Sequence, residues 1–210
     1  MWAIRFFLFG IGIVQVGVFG HILKHRRRYD GLLESRGVNL LLVIGYNALC
    51  YLMVGLPSDP SIPPASPSFF SDPRARAGLS VAGQVLMAVA ASIMIVAVWQ
   101  RRALGGQDVE AGLLTSGIYR YFRHPIYTGI VWMSLGLALA SGNWHGLLMI
   151  PAVVLVNAFE AIVEERYDVG LRFPLEYQAY KERTKMFGPR WCWATLVAVL
   201  LAVGGLPYLP

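Results

Sequence analysis

Residues 125–163, PIYTGIVWMSLGLALASGNWHGLLMIPAVVLVNAFEAIV, decide the fold. They contain two apolar runs, 125–141 and 144–163, with only SGNW between them and a single charged residue, Glu160. A membrane-crossing helix needs about 20 mostly apolar residues, so this pattern predicts a transmembrane helical hairpin. Further runs of the same kind lie outward from it, at 2–23, 38–56, 78–99 and 191–207, the last interrupted by GGLP. The whole chain is 56% hydrophobic and 14% charged, whereas soluble domains are about 45–50% apolar and about 25% charged. The expected fold is all-α: a polytopic transmembrane bundle of about six helices, five if the last run does not span, with a cytoplasmic amphipathic tail segment. PSDPSIPPASPSFFSDPRAR, between the second and third runs, is rich in Pro and Ser and reads as a loop.

The balance of 18 Lys+Arg against 12 Asp+Glu gives a net charge of +6. Its distribution points to a membrane surface rather than to nucleic acid, because fifteen of the eighteen basic residues fall in alternate loops. These loops are KHRRRYDGLLESR, the stretch from Gln100 to His124, and the stretch from Glu164 to Arg190. Basic loops stay in the cytoplasm, so the N-terminus is expected outside and those loops inside. The first helix lacks a small-residue cleavage site and runs straight into a basic loop, which reads as a retained anchor. Cys50 and Cys192 lack ligand spacing and are expected near opposite faces, as small apolar fillers that cannot pair. No metal site is expected.

Three polar groupings interrupt this apolar plan. The first is YRYFRHPIYTG, residues 119–129, at the mouth of the hairpin. Pro125 suits the first turn of a helix, where its missing N–H costs nothing, and a helix N-terminus attracts an anion. Arg120 and Arg123 add bidentate donors, while Tyr119, Tyr121, Phe122 and Tyr127 offer faces for a ring or a cation. An interfacial aromatic belt with snorkelling arginines has the same composition. The second is VNAFEAIVEERY, where Asn157, Glu160 and Glu164 share one helical face and Glu165 lies about 100° round. An acid inside an apolar run is a functional candidate with a partner; a pairing of Glu160 with Arg120 or Arg123, to join two helices, is the plainer reading. The third is FPLEYQAYKERTKMFGPRW, a basic amphipathic stretch that would lie on the membrane surface or close over the other two as a flap.

Taken together, GIYRYFRHPIYTG, the hairpin, EER and FPLEYQAYKERT resemble the isoprenylcysteine carboxyl methyltransferase and phospholipid methyltransferase family over roughly residues 105–190. That family's pattern is G-x-Y-R-x-x-R-H-P-x-Y-x-G, an E-E pair about forty residues later, and a Y-x-x-Y element. The resemblance divides the chain into N-terminal helices and loops at 1–104, a cofactor-binding core at 105–190 and a C-terminal helix at 191–210. It implies an integral membrane enzyme that uses S-adenosylmethionine, with the cofactor site facing the cytoplasm. Tyr119, Arg123, His124, Pro125, Tyr127 and Gly129 would help form the cofactor pocket. Glu164 and Glu165 correspond to the acidic pair, and Tyr177 and Tyr180 to the closing tail. Arg120, with Glu160 or Glu165, would orient the methyl acceptor, a lipophilic or membrane-borne carboxylate, amine or thiol. The chain departs from the pattern at Phe173-Pro174, where the family commonly has Phe-Gly, and by one extra residue between Glu165 and Tyr177.

Two other classes compete. Membrane sterol and steroid reductases share an Arg-His-Pro-Asn-Tyr element and use NADPH, but Ile126 stands where their Asn would be. A membrane scaffold or transporter would not gather its polar residues at one mouth, and transporters show broken helices near the midplane.

Overall fold

The structure, a computed structural model, describes residues 2–29, 36–57, 72–101, 112–190, 192–194 and 198. Most of the expected sixth helix therefore lies outside the described residues. Among the described residues there is no strand, and three helical stretches, Trp2–Lys24, Pro73–Arg101 and the near-continuous Trp144–Arg172, are long and apolar enough to cross a membrane.

Helix α1, Trp2–Lys24, has 23 residues and so spans about 35 Å, slightly more than a hydrocarbon core of about 30 Å. Its buried positions Gly12, Val16, Gly20 and Leu23 form one stripe, and the remaining apolar surface faces outward, as lipid contact requires. Helix α2, Arg36–Gly55, pairs with it. Helix α3, Pro73–Arg101, is longer at both ends than the expected 78–99. Asp72 extends it at the start, because its carboxylate accepts from the Ala75 amide at 2.9 Å, a side-chain N-cap with Pro73 in the next position. The Pro/Ser-rich loop therefore ends at Asp72 rather than at Arg76.

The quoted hairpin is present. Helix α4, Pro125–Ser141, is the hub, buried on most of its circumference and packed against α2 and α3. A short helix α5, Trp144–Leu148, leads into α6, Ile150–Glu164. The expected end at 163 is passed, because α6 continues through a π turn at Glu165–Val169 into Gly170–Arg172. The amphipathic tail forms α7, Pro174–Arg183.

Small residues let α3 approach α4. A Cβ on Gly83 would lie 2.5 Å from the Gly136 carbonyl oxygen, and one on Gly129 2.2 Å from Met94 Cγ. Close backbone approach of this kind is how membrane helices gain packing without a hydrophobic drive between them. At one end of the bundle the buried Arg5 donates to the Met53, Val54 and Leu56 carbonyls, and the Asn143 amide donates to Val54 and Leu56. These are the carbonyls that the end of α2 leaves without helical partners. At the opposite end gather the C-termini of α1, α3 and α6 and the N-terminus of α4, where the candidate site lies. Cys50 and Cys192 are both buried and free; Cys50 sits beside Asn157 on α6, and Cys192 beside Thr128 near the start of α4.

Candidate functional site

Pro125 opens α4 in its first turn and His124 occupies the N-cap position. Ahead of them Gly117–Arg120 makes a single 3₁₀ turn. The turn is held by Gln100 on α3, whose side-chain oxygen accepts from the Ile118 amide at 3.0 Å. From the tail, Tyr180 donates to the Tyr119 carbonyl and Thr184 to that of Arg120. The amides of Arg123 and His124 donate to the Lys185 and Met186 carbonyls at 3.1 and 2.9 Å. The third grouping of the sequence is thus bonded over the first as a flap.

The second grouping meets them from α6. Glu165 Oε1 lies 3.1 Å from His124 Nε2, and Glu164 Oε2 lies 3.5 Å from His124 Nδ1. Two successive helical side chains point about 100° apart, which suits carboxylates that grip one imidazole at both nitrogens. Tyr127 donates to Glu164 at 3.2 Å, and its ring stacks on His124 with centroids 5.4 Å apart. Arg101, at the end of α3, pairs with Glu164 at 3.4 Å. Arg123 and Lys181 both pair with Glu165, at 3.2 and 3.4 Å. Beyond the pair, the π turn brings the fully buried Asp168 between Arg26, at 2.9 Å, and Arg172, at 2.8 Å, which ties the end of α1 to the site. Single π turns inside α-helices often mark functional sites.

The electrostatics follow from burial opposed by pairing. Burial alone would depress the His124 imidazole, but its contacts with Glu164 and Glu165 outweigh that and hold its pKa above the usual histidine range. Burial pushes the hydroxyls of Tyr119, Tyr177 and Tyr180 up, so all three stay protonated. The Tyr177 hydroxyl is buried beside Glu165 and interacts with its carboxylate.

Of the residues expected from the sequence, Arg123, His124, Tyr127, Glu164 and Glu165 are in direct contact, and Tyr119, Tyr177 and Tyr180 are buried around them. Pro125 shapes the mouth through the backbone. Gly129 turns toward Met94 and Ala90 on α3, so its contacts are with that helix. Arg120 offers its carbonyl to Thr184, and its side chain is exposed, outside the ion-pair cluster. Glu160 lies one turn deeper than Glu164 and is not paired with Arg120 or Arg123; Arg123 goes to Glu165 instead. Glu160 and the Tyr46 hydroxyl on α2 are buried together and interact with each other, while Asn157 Oδ1 is buried without a hydrogen-bond partner. Sequence reasoning missed Arg101, Lys181, Tyr46 and Asp168. Lys181 was reachable, because it falls four residues after Tyr177 on the same helical face.

Among the described residues no group of three or more His, Cys, Asp or Glu is arranged to hold a metal ion. Residues 78–168 match the family model described as phospholipid methyltransferase. The match starts within α3, earlier than the motif resemblance, and ends at Asp168, before the tail helix. No curated protein and no solved structure matches the chain.

Proposed function

We propose that the protein is a membrane methyltransferase that uses S-adenosylmethionine to methylate a lipophilic or membrane-borne acceptor; the match of residues 78–168 to the phospholipid methyltransferase family model and the long apolar helices support this reading. The single observation that carries this reading is the capped ion cluster at the mouth of α4. Arg101, Arg123 and Lys181 stand against only two carboxylates, with His124 held toward its charged form. The cluster therefore retains positive charge for an anionic group. When bound, the cofactor supplies a methyl group activated on a sulfonium.

The residues fit that group by chemistry. Arginine and lysine suit its carboxylate, the faces of Tyr119, Tyr127, Tyr177 and Tyr180 suit adenine and sulfonium, and Glu164 and Glu165 suit hydroxyls and an ammonium. Methyl transfer is an in-line displacement, so the protein's part is positioning and exclusion of water, which the bonded flap serves. On the acceptor side, Glu160 would take the proton that an amine or thiol must lose, and Arg120 and Glu165 would orient the acceptor headgroup. The concentration of Lys and Arg in the loops at this end supports a cytoplasmic site with the N-terminus outside, and in that orientation the cofactor would enter from the cytoplasm and the acceptor sideways from the bilayer.

The test is thermal unfolding of the detergent-purified protein with S-adenosylhomocysteine and, separately, with NADPH. A ligand at 100 times its dissociation constant adds about 2.7 kcal/mol to the native state, so S-adenosylhomocysteine alone is expected to raise the midpoint. A shift with NADPH alone would make 119–129 a nucleotide site of the reductase kind, and no shift with either would reduce it to an interfacial belt.

A further inference from the structure

Helix α2 lies outside residues 78–168, yet it reaches the site. It ends at the far end of the bundle, beside Asn143, whereas α6 ends at the ion cluster, so the two run antiparallel. One contact sets their register: the Asn157 side-chain nitrogen lies 3.8 Å from Cys50 Sγ. Tyr46 is four residues before Cys50 and Glu160 three after Asn157, each about one turn nearer the site. The antiparallel register therefore sets Tyr46 opposite Glu160, and the buried hydroxyl interacts with that carboxylate. The Tyr46 ring also meets the Tyr127 ring edge to face, with centroids 6.3 Å apart. Tyr127 in turn stacks on His124 and donates to Glu164. Tyr46 is thus wedged between the deepest acid of the site and the ion cluster.

A carboxyl group inside an apolar run is costly and is kept where it has a task and a partner. Lysine and arginine hold Glu164 and Glu165. Glu160 instead faces Tyr46 and Cys50 from α2, His124 and Tyr127 from α4, and Glu164 of its own helix. From the other flank, α1 brings His21 and Lys24 to the level of Val163 and Tyr167, beyond it. The flexible stem of a glutamate leaves several rotamers open, and the hydroxyl opposite selects one.

We propose that Tyr46 is a positioning residue for methyl transfer: it donates to Glu160 and holds that carboxylate toward the ion cluster, where it takes the acceptor's proton. The role rests on the methyltransferase reading above; the contact does not. In the step, the acceptor's heteroatom bonds to the methyl carbon as the carbon–sulfur bond breaks, leaving its electron pair on sulfur. The proton passes from the heteroatom to the Glu160 carboxylate and returns to solvent between turnovers. A carboxylate acceptor has no proton to lose, so the device serves an amine or a thiol.

The experiment measures methyl transfer by the full chain in detergent, with phosphatidylethanolamine as the amine probe and N-acetyl-S-farnesylcysteine as the carboxylate probe. Tyr46→Phe removes only the hydroxyl. It is expected to lower kcat on the amine about tenfold, the worth of one hydrogen bond to a carboxylate, with KM and the S-adenosylhomocysteine thermal shift unchanged. The acidic limb of its kcat–pH profile should move to higher pH, because the ionised carboxylate has lost a donor. Glu160→Gln should cost at least about 100-fold, and adding Tyr46→Phe to it should cost nothing more. Equal losses from Tyr46→Phe on both backgrounds, or an unmoved acidic limb, would reduce Tyr46 to a packing residue. Methylation of the carboxylate probe alone would overturn the role, since no proton is then taken. The infrared carboxyl band that disappears in Glu160→Gln decides the contact without any change at Tyr46. In the wild type it should lie at the hydrogen-bonded position; at the free position the contact is refuted. Wild-type protein without any S-adenosylhomocysteine shift would sink the methyltransferase reading, while the infrared band still decides the contact.

Discussion

His124 is gripped at both ring nitrogens by carboxylates that are themselves paired with cations from α3, the mouth and the tail helix. Removing any of the three acidic or imidazole groups leaves buried charge without its partner, which is costly in a low-dielectric setting. His124→Ala, Glu164→Ala and Glu165→Ala are therefore expected to weaken S-adenosylhomocysteine binding by at least about 100-fold, or ~2.8 kcal/mol, with the protein still inserted in the membrane. Isothermal titration in detergent reads this directly, and unchanged affinity in all three would break the site assignment. The same contacts set a pH dependence. His124 has a folded pKa raised above its ordinary 6.5, so its stabilisation is fully present below about 6.5. That stabilisation is lost as pH rises through the higher folded value. The thermal midpoint of the wild type should thus fall as pH is raised above about 6.5, with the fall absent in His124→Ala; parallel pH profiles for the two proteins would contradict it.

At the scale of elements, the seam between α3 and α4 does more than hold two helices together. It delivers Gln100 and Arg101 to the mouth of α4. Gly83→Leu would force atoms into backbone only 2.5 Å away, an overpacking expected to cost on the order of 2 kcal/mol. Its signature is a lower thermal midpoint together with weaker S-adenosylhomocysteine binding, although Gly83 is two thirds of α3 away from the site; normal binding would mean that Arg101 is positioned independently of the seam. The hairpin, the mouth and the flap were legible in the sequence, because each is written in local spacing: apolar runs around SGNW, Pro125 after His124, Tyr177 three residues before Tyr180. Arg101 was not, since it lies 63 residues from Glu164 and only tertiary packing joins them. The π turn was not either, as its extra residue leaves no mark in composition. A Cβ on Gly170 would come within 2.5 Å of the Glu165 carbonyl oxygen, so the glycine there is intelligible only once the turn is seen.

For the whole molecule, the two ends of the bundle differ in kind. One end closes α2 with a buried arginine and Asn143 on main-chain carbonyls; the other gathers Arg101, Arg123, Lys181, His124, Glu164, Glu165 and Asp168. Contacts between the ends of distant helices, Arg26 with Asp168 and Arg101 with Glu164, bring the basic loops to one end, as alternation of the helices requires. The bias in Lys and Arg then predicts which end is cytoplasmic. In a background lacking Cys50 and Cys192, a cysteine placed at Arg27 or Arg183 should resist a membrane-impermeant maleimide in intact cells and react after permeabilisation. One placed at Ser141, the last residue of α4, should react in both conditions. Labelling of the first two in intact cells would invert the chain, putting the ion cluster on the side where no cytoplasmic methyl donor reaches it, and the proposed cofactor would have to be given up along with the orientation.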